Sequence, residues 1–319
     1  MKPGMLLPLW GALLLASSAA LAAPSDITIP GDHVFPESIT SSADGTLYIG
    51  SIGQGMIYRV PPGGTAPETF VAPGSGQMSI FGVLADDKSG TLYACTNDTS
   101  MMGVVTPGGK GPPGLRAYDL KSGALKGSYP FPGNNGFCND IAVGSDGAAY
   151  VTDSLNPRVL RLKSGASALE IWVDNPIFGT KGFNLDGIAF GADGNMIVTS
   201  FSGNKLYRVE VAKDMAAGNV TELTLSKSVV MPDGLRPEEG GMAGPLLLIE
   251  GGNLDRIAVK GNDVTIDVLR SGLPGAVAVA QIGKVAYVAV GQLNFIFDPS
   301  MKGKTPEPSK VYATPLSGN

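Results

Sequence analysis

The chain has 319 residues, and its 23 basic residues against 28 acidic ones give a net charge of −5. It has no basic run and no alternation of basic with aromatic residues, so nucleic acid and an anionic membrane surface are not expected partners. Two cysteines and one histidine, His33, leave too few ligands for a Cys/His zinc site. A Ser-His-Asp triad would have to use His33, close to the expected mature N-terminus, and we do not expect one.

The first segment of the chain predicts export. Lys2 precedes the apolar stretch MLLPLWGALLLASSA, and Ala20-Leu21-Ala22 has the small residues of a signal-peptide cleavage site. The stretch is short and rich in Ala and Ser for a membrane span, and no other stretch approaches ~18 apolar residues. We therefore expect residues 1–22 to be a signal peptide and residues 23–319 to be one domain. The mature protein should be periplasmic or secreted, with no membrane contact after cleavage.

A similar stretch of sequence recurs six times along the rest of the chain, and its last two copies are degenerate. The copies begin at Pro36, Phe81, Asn139, Leu185, Pro232 and Pro274. Each has two short apolar strands joined by a turn, often Asp-Gly or Ser-Gly, and then two further strands. Four-stranded repeats of this length predict an all-β fold, a six-bladed β-propeller with four antiparallel strands per blade. We expect residues 26–30 to close the ring by pairing with C-terminal strands that include residues 310–314.

Each of the six copies has an equivalent position where the chain enters its first strand. Four of these six positions have a side chain that carries a ligand oxygen. The six positions are Glu37, Phe81, Asn139, Asp186, Asp233 and Gly275. Because the first strand of each blade lines the central channel of a propeller, these residues should converge at one mouth of the channel. Asp140 should lie beside them.

Three converging carboxylates repel one another unless a proton or a cation balances them. Carboxylate and amide oxygens suit Ca²⁺, and Mg²⁺, Mn²⁺ or Zn²⁺ are not excluded as substitutes. The sequence thus predicts a metal site formed by Glu37, Asn139, Asp186 and Asp233. The alternative is ordinary turn and capping chemistry, which is our interpretation of the hairpin pairs that begin at Asp44, Asp146 and Asp193.

The motifs PES at Glu37, ND at Asn139, LDG at Asp186 and PDG at Asp233 follow one another on successive copies. Because the motifs occur in this order, the chain resembles the SMP-30/gluconolactonase superfamily over roughly residues 30–300. This superfamily of six-bladed propellers includes luciferin-regenerating-enzyme-like proteins, sugar lactonases and paraoxonase-type lactonases. The resemblance implies that these four residues bind Ca²⁺ or a similar ion at the mouth of the channel.

The chain departs from the family pattern at three points. Asp186 stands where the family usually has Asn, which keeps an oxygen ligand and adds a charge. Phe137 stands where sugar lactonases tend to carry Arg, two residues before the Asn. Paraoxonase-type enzymes use a pair of histidines, which this chain lacks. The resemblance therefore extends to the superfamily and not to one substrate class.

The function that we expect is a metal-dependent hydrolase of a small lactone or ester, an apolar one if the phenylalanines face the cavity, with a small molecule as its partner. Because no histidine is suitably placed, a carboxylate must act as base or nucleophile, and the resemblance suggests Asp233. The expected substrate-binding residues are Phe81, Phe137, Asp153, Ser200, Phe201 and Asn253. Glu250 is expected to be a solvated rim residue, with a further acidic group in the pocket as the alternative. The main alternative is a non-catalytic exported propeller that binds a ligand or partner around a structural ion. A synthase or lyase is a third, and the sequence does not indicate the oligomeric state.

Cys95 and Cys138 leave two alternatives open. In an exported protein they can form one disulfide, or they can be two separate buried thiols.

Overall fold

The computed structural model describes Met1 and residues 25–74, 78–179, 181–238 and 244–316. The predicted signal peptide, apart from Met1, lies outside these residues. Within the described part of the chain, no helix has both the length and the apolar character needed to cross a bilayer.

The described residues form six sheets that follow one another along the chain. The first half contains β1 (Ile27–Thr28), β2 (Pro36–Ser41), β3 (Leu47–Ser51), β4 (Met56–Val60), β5 (Glu68–Val71), β6 (Ser79–Asp86), β7 (Thr91–Asn97), β8 (Gly114–Asp119), β9 (Leu125–Pro130), β10 (Cys138–Val143), β11 (Ala149–Asp153), β12 (Arg158–Leu162) and β13 (Glu170–Asp174). The second half contains β14 (Leu185–Phe190), β15 (Met196–Ser200), β16 (Lys205–Val211), β17 (Ala217–Glu222), β18 (Thr224–Leu225), β19 (Leu235–Pro237), β20 (Leu246–Glu250), β21 (Asn253–Lys260), β22 (Asp263–Arg270), β23 (Ala276–Ile282), β24 (Val285–Val290) and β25 (Lys310–Pro315).

The sheets are the blades of a six-bladed β-propeller, as the repeats predict. Blades 1 to 4 are β2–β5, β6–β9, β10–β13 and β14–β17, blade 5 is β19–β22 with β18 at its outer edge, and blade 6 is β23–β25 with β1. The innermost strands of neighbouring blades contact one another around the ring, and blade 6 contacts blade 1. Among the described residues, helical structure is limited to α1 (Asn294–Phe297) and 3-10 turns at Ser100–Met102, Pro132–Asn134, Pro176–Phe178 and Pro299–Met301.

The N-terminal strand closes the ring. β1 pairs with β25, with Ile27 opposite Val311 and Thr28 opposite Lys310. The predicted closure is confirmed, and the structure adds that β1 is the outermost strand of blade 6. Pairing the two ends of the chain in one sheet protects the edge that an open ring would expose.

Apolar side chains fill the six interfaces between neighbouring blades. Between blades 3 and 4, for example, the Tyr150 ring lies edge-on to Trp172 and to Phe190, with centroids 5.0 and 5.2 Å apart. Because both faces of each sheet are covered in this way, the strands are apolar over most of their length. At the hub of the ring, by contrast, several polar and charged side chains are buried together.

A disulfide joins blades 2 and 3. Cys95 in β7 and Cys138 at the start of β10 are bonded, and they are separated by 43 positions in sequence. Of the two alternatives that the sequence leaves open, the structure therefore has the disulfide.

Replacing both cysteines, Cys95→Ala with Cys138→Ala, should lower the free energy of unfolding by about 4 kcal/mol, because a closed loop of this length restricts the unfolded chain. Urea denaturation of the variant and of the wild-type protein measures the difference. Reduced wild-type protein is the control, and it should match the variant. A loss below about 1 kcal/mol would contradict the prediction.

Candidate metal centre

Irregularities at the start of the inner strands direct polar side chains into the hub. In blade 1, Pro36 pairs with Ser51 and Ser38 pairs with Gly50, so Glu37 is an extra residue in β2. The register also shifts between Cys138 and Ile141 in β10, and between Leu185 and Ile188 in β14. A β-bulge of this kind turns a side chain away from the sheet and towards a site. Asn139 and Asp186 lie in these shifted segments.

The structure brings the four predicted ligands together at the hub. Carboxylate oxygens of Glu37, Asp186 and Asp233 all lie within 4.8 Å of one another. The Asn139 amide nitrogen donates hydrogen bonds to Asp186 Oδ2 at 3.1 Å and to Ser154 Oγ at 2.9 Å. These two bonds orient the amide so that its oxygen is the atom available to a cation. The four side chains are between 5% and 7% exposed.

Burial and mutual repulsion disfavour the charged form of the three carboxylates. Burial, and after it the negative charge of Asp140, raises the pKa of Asp186 to about 7. Burial raises the pKa of Glu37 well above its usual range, with Asp186 and Asp140 adding to the effect. The pKa of Asp233 is raised in the same way by burial and by the charges of Asp186 and Glu37. The cluster therefore holds protons unless another positive charge replaces them.

The donor set of this cluster fits a hard divalent cation. Three carboxylates and one amide oxygen are ligands that Ca²⁺ prefers, and water can complete its 6–8 oxygen shell. The cavity between the side chains has room for about one particle the size of a water molecule. The role of the four residues as metal ligands stays a prediction, but their geometry and their electrostatics both suit it.

A buried ion pair lies next to the cluster. The Arg236 guanidinium donates to both carboxylate oxygens of Asp140, at 2.6 and 2.8 Å, from blade 5 to blade 3. It also donates to the backbone oxygens of Leu235 and Val83, at 2.9 and 3.2 Å. Arg236 thereby neutralises Asp140 and joins blades 2, 3 and 5 inside the channel. Sequence analysis missed this residue, although an arginine inside the apolar inner strand DGLRP was a usable signal.

Aromatic side chains surround the mouth of the channel above the cluster. The Phe137 ring lies edge-on to Phe81 and to Phe183, with centroids 4.6 and 4.9 Å apart. The Phe183 ring is 6.3 Å from Phe297. Phe297 belongs to α1, in the connection between β24 and β25 of blade 6, whereas Phe183 precedes the inner strand of blade 4, two blades away around the ring. The connection that carries α1 thus extends across the mouth.

The six expected substrate-binding residues lie around this end of the ring, but among the described residues none of them lines the small cavity itself. Phe81 and Phe137 are buried, and Phe201 and Asn253 are half-buried. Ser200 is buried and its hydroxyl donates to Asn184. Their part in substrate binding stays a prediction.

Asp153, another of the six, has a carboxylate that is already engaged by protein groups. It pairs with Arg158 at 2.8 Å and accepts hydrogen bonds from the backbone nitrogens of Phe137 and Leu155 at 2.9 and 3.1 Å. Its side chain is fully buried. These contacts fix the segment that leads into β10.

Two further expectations need correction. The sixth inner position was assigned to Gly275, but the register shift in blade 6 falls between Ala276 and Ala278, and Val277 lines the cavity. Glu250 was expected at a solvated rim or in the pocket. It is instead buried, pairs with Lys227 at 2.9 Å and accepts a hydrogen bond from the Val230 backbone nitrogen.

The fold is shared with several proteins of known structure. No protein-family model matches the chain, and no curated protein matches it in sequence. The major allergen Mala s 1 of Malassezia sympodialis is 16% identical, with a TM-score of 0.71 over 92% of this chain and 96% of that one. A gluconolactonase from Xanthomonas campestris is 18% identical, with a TM-score of 0.63 over 92% and 89% of the two chains. A virginiamycin B lyase from Staphylococcus aureus is 16% identical, with a TM-score of 0.59 over 92% and 89%.

The chain has their fold. The six-bladed propeller implied by the resemblance of its motifs is therefore confirmed. These three proteins carry the names of an allergen, a lactonase and a lyase, so the fold alone does not decide the chemistry.

The first prediction about the hub concerns the pH dependence of the protein without divalent cations. Because the folded pKa of Asp186 lies above the unfolded value of about 4, the folded state binds more protons between pH 4 and 7. Its stability should be greatest at the acid end of this window and fall as pH rises, by on the order of 2 kcal/mol between pH 5 and 7. Thermal unfolding in a chelating buffer at several pH values measures this.

The control for this prediction is Asp186→Asn, which removes one of the three carboxyl groups with a raised pKa and should make the slope shallower. An unfolding temperature of the wild-type protein that rises steadily from pH 5 to pH 8 in chelator would contradict the prediction.

The second prediction concerns Gly187, which follows Asp186. A Cβ at this position would overlap the backbone oxygen of Asp233 on the next inner strand. Gly187→Ala should therefore push Asp233 away from the cluster and lower the free energy of unfolding by about 2 kcal/mol. Gly191→Ala is the matched control, because a Cβ there meets its nearest neighbours at 3.4 Å or more. Equal unfolding midpoints for the two variants in urea would show that the close approach is unimportant.

Proposed function

We propose that this protein is an exported hydrolase that depends on a divalent cation and opens a small lactone or ester with an apolar acyl part. The observation that carries the proposal is the cluster of Glu37, Asp186 and Asp233, buried within 4.8 Å of one another beneath an aromatic mouth. The cation is Ca²⁺ in this proposal, held by these three carboxylates and by the Asn139 amide oxygen. When bound, it acts as a Lewis acid that polarises the carbonyl group of the substrate.

The chain's own groups supply the proton transfers. Asp233 accepts a proton from the water that attacks the carbonyl carbon, and returns it to the ring or alkyl oxygen when the C–O bond breaks. A lactone and one water thereby give one hydroxy acid. The backbone of Asp233 is fixed for this task, since its nitrogen donates to the Ile249 oxygen at 2.8 Å and its oxygen accepts from Thr199 Oγ1 at 3.2 Å.

The side chains at the mouth favour an apolar substrate. Phe81, Phe137, Phe183 and Phe297 form a continuous row of ring contacts there. Such a surface offers contact area and excludes water, but it has few groups that would bind the hydroxyls of a sugar. Phe137 in particular replaces the arginine that the resemblance associates with sugar lactonases. The lactone chemistry of the gluconolactonase with this fold supports the reaction class, while the mouth argues for a different substrate.

A second candidate is a non-catalytic propeller with a structural ion. It is favoured by the burial of all four ligands, because a closed coordination shell is typical of structural metal sites. The two candidates differ in whether a substrate reaches the cation past α1, and turnover measurements separate them.

Substitution of Asp233→Asn tests the hydrolase. Asparagine keeps an oxygen ligand but cannot accept the proton, so hydrolysis should fall by about 10²–10⁴-fold while Ca²⁺ still binds. The assay is a panel of alkyl lactones, aryl esters and gluconolactone with the mature protein, with and without chelator. Asp44→Asn is the matched control, since Asp44 accepts hydrogen bonds in the β2–β3 turn at the other end of the blade.

We expect turnover of the apolar substrates that is lost on chelation and unchanged in Asp44→Asn. Stoichiometric Ca²⁺ binding with no turnover of any compound in the panel would reject the hydrolase in favour of the structural ion.

A further inference from the structure

The residue before Asn139 is held by a covalent bond and by a pair of hydrogen bonds. Cys138 is bonded to Cys95 of blade 2 through the disulfide. Its backbone nitrogen donates to Asn97 Oδ1 at 2.9 Å, and its backbone oxygen accepts from Asn97 Nδ2 at 2.7 Å. Asn97 is 1% exposed. One buried amide of blade 2 thus satisfies both backbone groups of a residue of blade 3.

The segment is also fixed from its own blade. The Phe137 nitrogen donates to Asp153 Oδ1 at 2.9 Å, and the Phe137 oxygen accepts from the Ser154 nitrogen at 2.9 Å. The Ser154 hydroxyl in turn accepts from the Asn139 amide. The backbone on the N-terminal side of Asn139 is therefore held by groups of two blades before the register of β10 shifts.

Such strong restraint suits the chemistry of Asn139. The other three cluster residues are carboxyl groups that become negatively charged when a cation displaces their protons, and their attraction to the cation helps to draw them into place. Asn139 is neutral, so its contribution depends on an oxygen that is already in position when the cation arrives. A bulge is locally irregular backbone, and fixing it beforehand lowers the ordering cost of binding.

We propose that the Cys95–Cys138 disulfide and Asn97 are positioning elements for Asn139, and that they set the cation affinity of the hub as well as the stability of the blades. This inference rests on the cation site of the proposed function, and it adds residues of blade 2 that do not touch the cluster. It predicts that the affinity for Ca²⁺ depends on a clamp, defined as Cys95, Cys138 and Asn97.

Calorimetric titration of the mature protein with Ca²⁺ tests the clamp without an activity assay. Asn97→Ala leaves the disulfide in place and removes both hydrogen bonds, and it should weaken Ca²⁺ binding about 10-fold. Cys95→Ala with Cys138→Ala should weaken it by a similar factor. The control is Leu160→Ala, which removes a buried side chain from the same apolar cluster between blades 2 and 3 but lies in β12, two strands away from Cys138 and Asn139 in the sheet of blade 3.

The control separates positioning from general loss of stability. We expect Leu160→Ala to lower the unfolding temperature as Asn97→Ala does, yet to bind Ca²⁺ within about two-fold of the wild-type affinity. If the clamp variants bind as tightly as the wild-type protein, or if Leu160→Ala weakens binding equally, the inference is wrong while the cation site stands. A wild-type protein that binds no Ca²⁺, Mg²⁺ or Mn²⁺ overturns the site and the inference together.

Discussion

The repulsion among three buried carboxylates is the constraint on which the hub of this protein depends. Glu37, Asp186 and Asp233 come from blades 1, 4 and 5, and no two of them are close in sequence. Assembly of the ring forces them within 4.8 Å of one another and removes most of their water. Without a cation they keep protons, as their raised pKa values indicate. The apolar interfaces between the blades must therefore offset an unfavourable centre, and a natural protein retains such a centre where it has a use.

The inner strands show how the fold brings the three carboxylates together in spite of their repulsion. Glu37, Asn139 and Asp186 lie at irregular entries to their strands, which turn the side chains towards the axis without interrupting the rest of the ladder, and Asp233 lies two residues before β19. Glycine follows Asp186 and Asp233, and in each case a Cβ would collide with the backbone of the neighbouring inner strand. What looks in the sequence like an Asp-Gly turn is here a residue of the carboxylate cluster followed by a close contact between strands. The same dipeptide at Asp44 and Asp146 forms hairpin turns.

Sequence analysis predicted the repeats, the ring closure and the convergence at the hub, because each of these follows from local pattern and from the symmetry of a propeller. It misplaced the sixth inner position by two residues, since the pattern does not show where a register shift falls and Val277 takes the place assigned to Gly275. It did not predict α1 across the mouth or the pairing of Arg236 with Asp140. Both join segments from distant blades, and such contacts depend on distances that no local pattern contains. Glu250 was misjudged for the same reason, because its partner Lys227 lies outside its own hairpin.

Asp186 determines the net charge at the hub of this protein. Arg236 neutralises Asp140 through a two-point hydrogen bond, which leaves the three cluster carboxylates to be balanced. A divalent cation supplies two positive charges and leaves one negative charge over. With asparagine at position 186, as the resemblance leads one to expect, the net charge of the cluster and its cation would be zero. The chain instead stabilises the extra charge of Asp186 by a hydrogen bond from Asn139 at 3.1 Å. The Asn139 amide thus contacts the cluster through its nitrogen, and this orientation leaves its oxygen free for the proposed cation.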